Sequence, residues 1–172
     1  TINFYDSGAS ASGLSRYSSR ILELLADGAL NPLFTQADFD AERAKLIEGL
    51  KSDEKSASAI AARVQNVLTY GKEHYNGEFT SEETLKNVTL QDVINHYNTY
   101  FVPSNAYLVV IGDVKTADVK KKVEELFGAD VWKKATAPNL TYNDPKDLQY
   151  SQINFVDVPN AVQSEIALIN LS

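Results

Sequence analysis

The stretch that decides the fold is residues 101–128, which read FVPSNAYLVVIGDVKTADVKKKVEELFG. Pro103 cannot continue a helix, so the helix that leads up to this stretch must end at its start. Residues 107–111 are an unbroken apolar run rich in β-branched side chains, which predicts a strand covered on both faces. The Gly112-Asp113 pair breaks that run, and apolar residues then recur at the spacing of one helical face. The stretch therefore predicts a buried strand followed directly by an amphipathic helix.

The rest of the chain adds further helices and strands to this pair. Helical spacing and N-cap signals predict five helices between residues 18 and 101. Segments with strand-like composition or alternation occur at residues 2–6, 9–12, 150–157 and 162–171. The predicted fold class is therefore α+β, with helices packed on a mostly antiparallel sheet.

Residues 135–148 divide the predicted elements into two modules. This segment contains two prolines and few periodic apolar residues, so we expect a linker. Residues 1–134 then form one module, and residues 149–172 are the first strands of a second module, which is incomplete. Since the chain contains no methionine and has strand-like sequence at both ends, we expect it to be a fragment.

Composition excludes several classes of function. The net charge is −7, and the lysines and arginines are scattered, so nucleic acid and anionic membranes are poor partners. No apolar run is long enough to predict a membrane span. Because cysteine is absent, the chain has no disulfide, thiolate metal site or cysteine nucleophile. These features are typical of an ordinary globular domain, and they do not indicate its cellular compartment.

Few residues suggest chemistry. His74 and Glu78 flank a glycine-containing loop and offer two ligands for a metal site, but a turn residue beside a solvated acid is the simpler interpretation. His96 lies on a predicted helix, where packing or surface exposure explains it better than catalysis does. The acids between residues 42 and 54 follow the solvated face of an amphipathic helix. Residues and spacing alone predict no catalytic apparatus.

A set of motifs occurs in an order that resembles one protein family. The motifs are LLADGALNPLF, FDAERAKLIEGL, GKEHYNGEFTSEETLKN, VTLQDVINHYNTYFVPSNAYLVVIGDV and a helix ending in LFG. Together they resemble the insulinase, pitrilysin and mitochondrial processing peptidase family of zinc metallopeptidases, which carry an inverted H-x-x-E-H motif. The resemblance implies that residues 1–134 are the C-terminal part of a peptidase-like module.

The resemblance also implies where a metal ligand should be. Active family members hold zinc through the two motif histidines and a downstream glutamate, and the motif glutamate activates the bound water. This chain has no H-x-x-E-H, and in its matching segment, residues 42–50 (ERAKLIEGL), the ligand position is Gly49. Glycine has no donor atom, although close packing would also explain a glycine there. Glu48 is adjacent but turned by about 100° on a helix. Glu42 and Glu48 are therefore candidate remnants of the acids around the metal, and we expect no zinc on this chain.

Three functional hypotheses follow from the resemblance. In the first, favoured by Gly49, the chain is a non-catalytic subunit or domain that helps bind peptide or unfolded polypeptide and supports an active partner. In the second, it is scaffold in an active zinc endopeptidase whose H-x-x-E-H lies upstream. In the third, it is a peptide-binding module unrelated to proteolysis, with a strand edge at Asn3, Phe4 and Tyr5 as the binding surface. The resemblance is compatible with a bacterial cell envelope or periplasm.

Overall fold

A computed structural model of the protein describes residues 2–5, 8–133, 135–141, 144–145 and 151–169. The helices are α1 (Ser18–Leu30), α2 (Gln36–Asp53), α3 (Ala57–Tyr70), α4 (Glu82–Asn87), α5 (Leu90–Tyr100) and α6 (Thr116–Phe127), and the strands are β1 (Ile2–Tyr5) and β2 (Gly8–Ala11). The chain divides into two compact units, the first of Thr1–Thr35 with Gln91–Pro138 and the second of Gln36–Leu90 with Asn139–Ser172. None of the helices in the described residues is long and apolar enough to cross a membrane.

The first unit is built around α1. This helix buries Leu22, Leu25 and Ala26, and Val102, just after α5, is buried as well. Contacts join α1 to α6 and to β2. An ion pair between Lys122 Nζ and Glu23 Oε1, at 2.9 Å, adds a polar contact between α1 and α6.

A run of aromatic rings extends the packing of the first unit. Tyr97 on α5 stacks on Phe101 at 5.0 Å between ring centres and meets Phe34 edge-on at 5.4 Å. Phe101 continues the run to Trp132, which in turn lies 6.3 Å from Phe127 at the end of α6. The Tyr97 hydroxyl donates a 2.6 Å hydrogen bond to the carbonyl oxygen of Ala29 near the end of α1. The C-terminal halves of α1, α5 and α6 are thus tied to one another through aromatic side chains.

The second unit contains α2, α3 and α4, and among its described residues only Gly77 is buried. Contacts join α2 to α4, and Arg43 on α2 donates to the carbonyl oxygen of Val88 after α4. The Ser56 hydroxyl caps α3 by accepting from the Ala59 amide, and α3 ends at Gly71, whose φ is +81°. Local caps and pairs therefore account for more of this unit than a buried core does.

The predicted fold class is wrong. The described residues are mostly helical, and the sheet is a single antiparallel pair, β1 with β2, in which Phe4 lies opposite Ala9. This pair falls where the strands at residues 2–6 and 9–12 are predicted, although Asp6 lies outside the described residues. A pair of four-residue strands cannot carry the helices on its face, so the architecture is not a helix layer on a sheet.

The central strand predicted at residues 107–111 is absent. This segment has no regular secondary structure and no strand partner in the described part of the chain, and Tyr107 and Ile111 are 97% and 92% exposed. The segments 151–157 and 162–169, described parts of the other predicted strands, are likewise unpaired, with Ile153 and Leu168 fully solvated. Tyr150 and residues 170–171 lie outside the described residues. Apolar, β-branched composition favours a strand only where a neighbouring backbone supplies the hydrogen bonds.

Candidate functional site

Gly49, which the resemblance predicts to stand at the metal-ligand position, lies on an exposed surface of α2 near its C-terminal end. A Cβ atom built at this position would meet no atom within 4 Å. Close packing therefore does not require glycine here, and a longer side chain could be accommodated. The position offers no donor to a metal, because its only polar groups are the peptide groups of the helix.

The two glutamates near Gly49 are engaged in ion pairs along the same helix. Glu48 Oε1 accepts from Lys51 Nζ at 2.8 Å, and Glu42 Oε1 accepts from Lys45 Nζ at 2.5 Å. Both carboxylates are largely exposed. The hydrogen bond to Glu48 is also the main cause of a raised pKa at Lys51. The structure places both predicted remnant acids on the solvated surface of α2, each bound to a lysine three residues further along.

These residues do not fit a zinc ion. A catalytic zinc site takes three protein ligands at about 2.0–2.3 Å, and α2 supplies no carboxylate at position 49. The Glu48 side chain points in a different direction from a side chain at position 49, because successive residues of a helix are rotated by about 100°. Among the described residues, no three His, Asp or Glu side chains lie close enough together to hold a metal.

The two histidines lie in different surroundings. His74 sits in the loop after α3, where its Nδ1 accepts a 3.1 Å hydrogen bond from the Asn76 amide and its ring stacks on Tyr70. That hydrogen bond occupies the Nδ1 lone pair that a metal would need. His96 packs its ring against Tyr100 one turn further along α5, with 4.7 Å between ring centres. Both histidines thus have packing roles in the structure.

The predicted peptide-binding edge lies on β1. Residues Asn3, Phe4 and Tyr5 pair with Ser10, Ala9 and Gly8 of β2. In the described part of the chain, β2 is the one strand that pairs with β1. The N–H and C=O groups along the other edge of β1 are therefore not hydrogen-bonded to a second strand there. Such an edge has the geometry to which an extended peptide can add a strand.

Sequence analysis missed a cleft in the second unit. The cleft has a volume of about 630 Å³ and is lined by Lys72, Tyr75, Glu78, Phe79, Thr80 and Thr84. Its two aromatic side chains are about half exposed. Composition marks the segment as a polar loop, so only the spacing of two aromatics four residues apart, just after His74, could have drawn attention to it.

The loop that carries these aromatics has a defined backbone. The amides of Gly77 and Glu78 both donate to the carbonyl oxygen of His74, at 2.8 and 2.9 Å. Gly71 takes a left-handed φ of +81°, which favours glycine, and a Cβ at Gly77 would overlap the Gly71 carbonyl oxygen. The two glycines therefore let the ends of the loop approach closely, and α4 begins soon after with a capping box of Ser81 and Thr84.

Comparison with known protein families gives one match. Residues 87–169 match the family described as the peptidase M16 inactive domain. This confirms the resemblance to the insulinase and pitrilysin peptidases, and residues 87–169 are similar to a domain that the family description calls inactive. The match begins after α2 and α3, so it does not include Gly49 or His74. None of the curated proteins matches the chain.

Proposed function

We propose that this chain, whose residues 87–169 match the peptidase M16 inactive domain, is a non-catalytic member of that family that helps bind peptide substrate and supports an active partner subunit or domain. The observation that carries the proposal is Gly49. The position that the resemblance assigns to the metal ligand carries no carboxylate, although a Cβ atom there would meet no atom within 4 Å. A role in binding or assembly is compatible with that loss, whereas zinc-dependent cleavage by this domain is not.

Glu48 is a poor substitute for the missing ligand. To bring its carboxylate to the direction served by position 49, α2 would have to rotate by about 100° over at least one turn. That rotation would break the Glu48–Lys51 ion pair and move the whole exposed face of the helix. Glu42 lies about two turns before Gly49 and is held by Lys45, so it is further from the position still.

The peptide-binding part of the proposal rests on the edge of β1. Strand addition uses backbone groups for affinity and therefore accepts many sequences, which suits a protein that handles unfolded polypeptide. The net charge of −7 would repel strongly acidic segments. We therefore expect neutral or basic extended peptides to be favoured.

Metal analysis of the complete gene product tests the proposal. We expect it to contain no stoichiometric zinc, to cleave no fluorescent casein when alone, and to co-purify with a neighbouring family member that has an intact H-x-x-E-H. One tightly bound zinc per chain together with cleavage by the isolated protein would contradict it and favour the active-scaffold alternative.

A matched pair of variants separates the two alternatives further. Gly49→Glu adds the missing carboxylate, and Gly49→Gln adds a side chain of equal length without the charge. If a histidine pair elsewhere in the gene product forms a site, only the glutamate variant gains zinc. If the gene product has no such histidine pair, neither variant gains zinc. Equilibrium dialysis against buffered zinc distinguishes the two results.

A further inference from the structure

The loop after α3 contains a pair of residues whose chemistry the family resemblance does not assign. Asn76 is followed by Gly77, and this is the one Asn-Gly pair in the chain. We propose that Asn76 is a site of spontaneous deamidation, and that the folded loop restrains the reaction until the loop opens. The proposal is independent of peptide binding and of an active partner.

The reaction needs these two residues and water. The backbone nitrogen of Gly77 bonds to the side-chain amide carbon of Asn76, and the side-chain nitrogen leaves as ammonia together with the proton of the Gly77 amide. The product is a cyclic imide, which water opens at either of its two carbonyl groups. One opening gives aspartate, and the other gives isoaspartate, in which the main chain runs through the former side-chain carbon. No oxidant or reductant takes part, and the chain gains one negative charge.

The fold requires glycine at position 77, and glycine also makes the preceding asparagine reactive. A Cβ atom at Gly77 would overlap the carbonyl oxygen of Gly71, so a larger residue does not fit the closed loop. The same lack of a side chain leaves the Gly77 nitrogen accessible and lets its backbone rotate toward the Asn76 side chain. The close approach that shapes this loop therefore brings a reactive pair with it.

The closed loop holds the reacting nitrogen away from the reaction. The Gly77 amide donates a 2.8 Å hydrogen bond to the His74 carbonyl oxygen, and Gly77 is buried. Attack requires this amide to lose its proton and its nitrogen to turn toward Asn76, so the hydrogen bond must break first. The Asn76 amide donates to His74 Nδ1 at 3.1 Å, which fixes the backbone on the other side of the reacting side chain. We therefore expect the open loop to react and the closed loop to be protected.

Formation of isoaspartate would prevent the loop from closing again. In the closed loop the amides of Gly77 and Glu78 both donate to the His74 carbonyl oxygen, at 2.8 and 2.9 Å. Isoaspartate lengthens the main chain between His74 and these amides by one carbon atom, so the two hydrogen bonds do not both keep this geometry. Because Tyr75 and Glu78 line the cleft on either side of Asn76, a reversible opening would become a permanent change at the cleft.

Mass spectrometry of the full chain tests the proposal. Trypsin releases residues 73–86 as one peptide, in which Asn76 is the single asparagine and glutamine is absent, so a deamidated peptide identifies the site. The protein is kept in warm, mildly alkaline buffer, with and without guanidinium chloride. We expect Asn76 to deamidate about tenfold faster in the denaturant, where the loop is open in every molecule. There it should also react faster than Asn160, which is followed by Ala161.

Two glycine variants change the loop while the Asn-Gly pair stays intact. Gly71→Ala places a side chain at a φ of +81°, which strains the closed loop and should raise the rate in buffer toward the rate in denaturant. Gly49→Ala is the same substitution on α2, where the space is open, and it should leave the rate unchanged. Circular dichroism checks that both variants fold. If Gly71→Ala does not fold, the comparison of folded and denatured wild type decides.

Three results would overturn the proposal. An unmodified Asn76 in the denaturant would show that the pair is not reactive. Equal rates in folded and denatured wild type would show that the loop gives no protection. Equal rates in buffer for folded Gly71→Ala and Gly49→Ala would show that closure of the loop does not control the reaction.

Discussion

The two units of the molecule are stabilised in different ways. The first unit buries Leu22, Leu25, Ala26 and Val102 and adds a run of aromatic rings, whereas in the described residues of the second unit only Gly77 is buried. The second unit relies on N-caps, turns and ion pairs within helices, each of which contributes little on its own. Gly49, the two predicted remnant acids and the cleft lined by Tyr75 and Phe79 lie in this second unit. These candidate positions lie where the packing constrains them least, which is typical of binding segments, whereas the predicted peptide-binding edge on β1 lies in the first unit.

The largest expected effect comes from breaking the core of the first unit. Leu22 is 7% exposed, and Leu22→Ala should lower the free energy of unfolding by about 2–3 kcal/mol, through lost burial and a cavity between α1 and its neighbours. Urea denaturation followed by circular dichroism measures the change.

Leu46→Ala is the matched control in the second unit. Leu46 on α2 is 56% exposed, so the same truncation should change the free energy of unfolding by less than about 0.5 kcal/mol. Equal decreases in the free energy of unfolding for Leu22→Ala and Leu46→Ala would contradict the conclusion that the first unit has a buried core and the second does not.

A smaller effect is expected at the hydrogen bond that joins α5 to α1. Ala29 is among the last four residues of α1, whose carbonyl groups lack a partner within the helix, and the Tyr97 hydroxyl supplies one at 2.6 Å. Tyr97→Phe removes the hydroxyl but keeps the ring stacking, and it should cost about 1 kcal/mol in the free energy of unfolding.

Alkaline titration gives an independent check on Tyr97. Burial raises the pKa of its phenol above the ordinary value of 10. The Tyr97 phenol therefore holds its proton more tightly in the folded protein than in the unfolded protein. Its contribution to the free energy of unfolding keeps its full value below pH 10 and is lost as the pH rises through the folded pKa. Tyr97→Phe should remove that part of the alkaline loss, and an unchanged profile would contradict the assignment.

Helix boundaries could be predicted from sequence because short-range groups decide them. Asn31 and Pro32 predict the end of α1, which the structure places at Leu30, and Ser81 caps α4 as its position suggests. The buried face was harder to place. Ile21, Leu24, Leu25 and Ala29 share one face of α1 by their spacing, but the buried residues of this helix are Leu22, Leu25 and Ala26. Apolar residues occur on more than one side of α1, so contacts with other parts of the fold determine which side is buried.

Strands and the cleft lined by Tyr75 and Phe79 could not be predicted in this way. Residues 107–111 have a strand-like composition, but a strand also needs a partner, which a local pattern does not contain. The cleft depends on the stacking of His74 on Tyr70 and on Arg63 over Phe79, contacts that join a loop to a helix. By contrast, the prediction that Gly49 stands at the metal-ligand position uses the motif alone, because it depends on which residue occupies one position and not on tertiary contacts.

Gly49 also offers a stabilising change in the second unit. A glycine inside a helix costs about 1 kcal/mol relative to alanine, and the space around Gly49 is open. Gly49→Ala should therefore raise the free energy of unfolding by up to about 1 kcal/mol, measured by urea denaturation. Gly77→Ala is the opposite control, because its Cβ would overlap the Gly71 carbonyl oxygen, and it should destabilise the loop. A loss of stability in Gly49→Ala would mean that α2 is covered at this position.

The smallest expected effect concerns the ion pair between α1 and α6, and its sign follows from the pKa shifts. The hydrogen bond from Lys122, followed by that from Arg20, lowers the pKa of Glu23 below 4.5, and the pKa of Lys122 is raised above 10.5 mainly by Glu23. The Glu23 contribution is therefore present above pH 4.5 and is lost as the pH falls through its lowered folded pKa. The Lys122 contribution is lost only as the pH rises through its raised value.

Lys122→Met keeps the apolar stem and removes the charge, so the acid-induced loss of stability below pH 4.5 should become smaller than in the wild type. Lys45→Met, which removes a pair confined to α2, should leave that acid dependence unchanged. Thermal unfolding at a series of pH values compares the three proteins. Because the Lys122 and Glu23 side chains are 19% and 35% exposed, 1 M salt should reduce the difference between wild type and Lys122→Met only in part. If Lys122→Met and Lys45→Met respond alike to acid, the Lys122–Glu23 pair does not hold α1 to α6, and packing alone joins the two helices in the first unit.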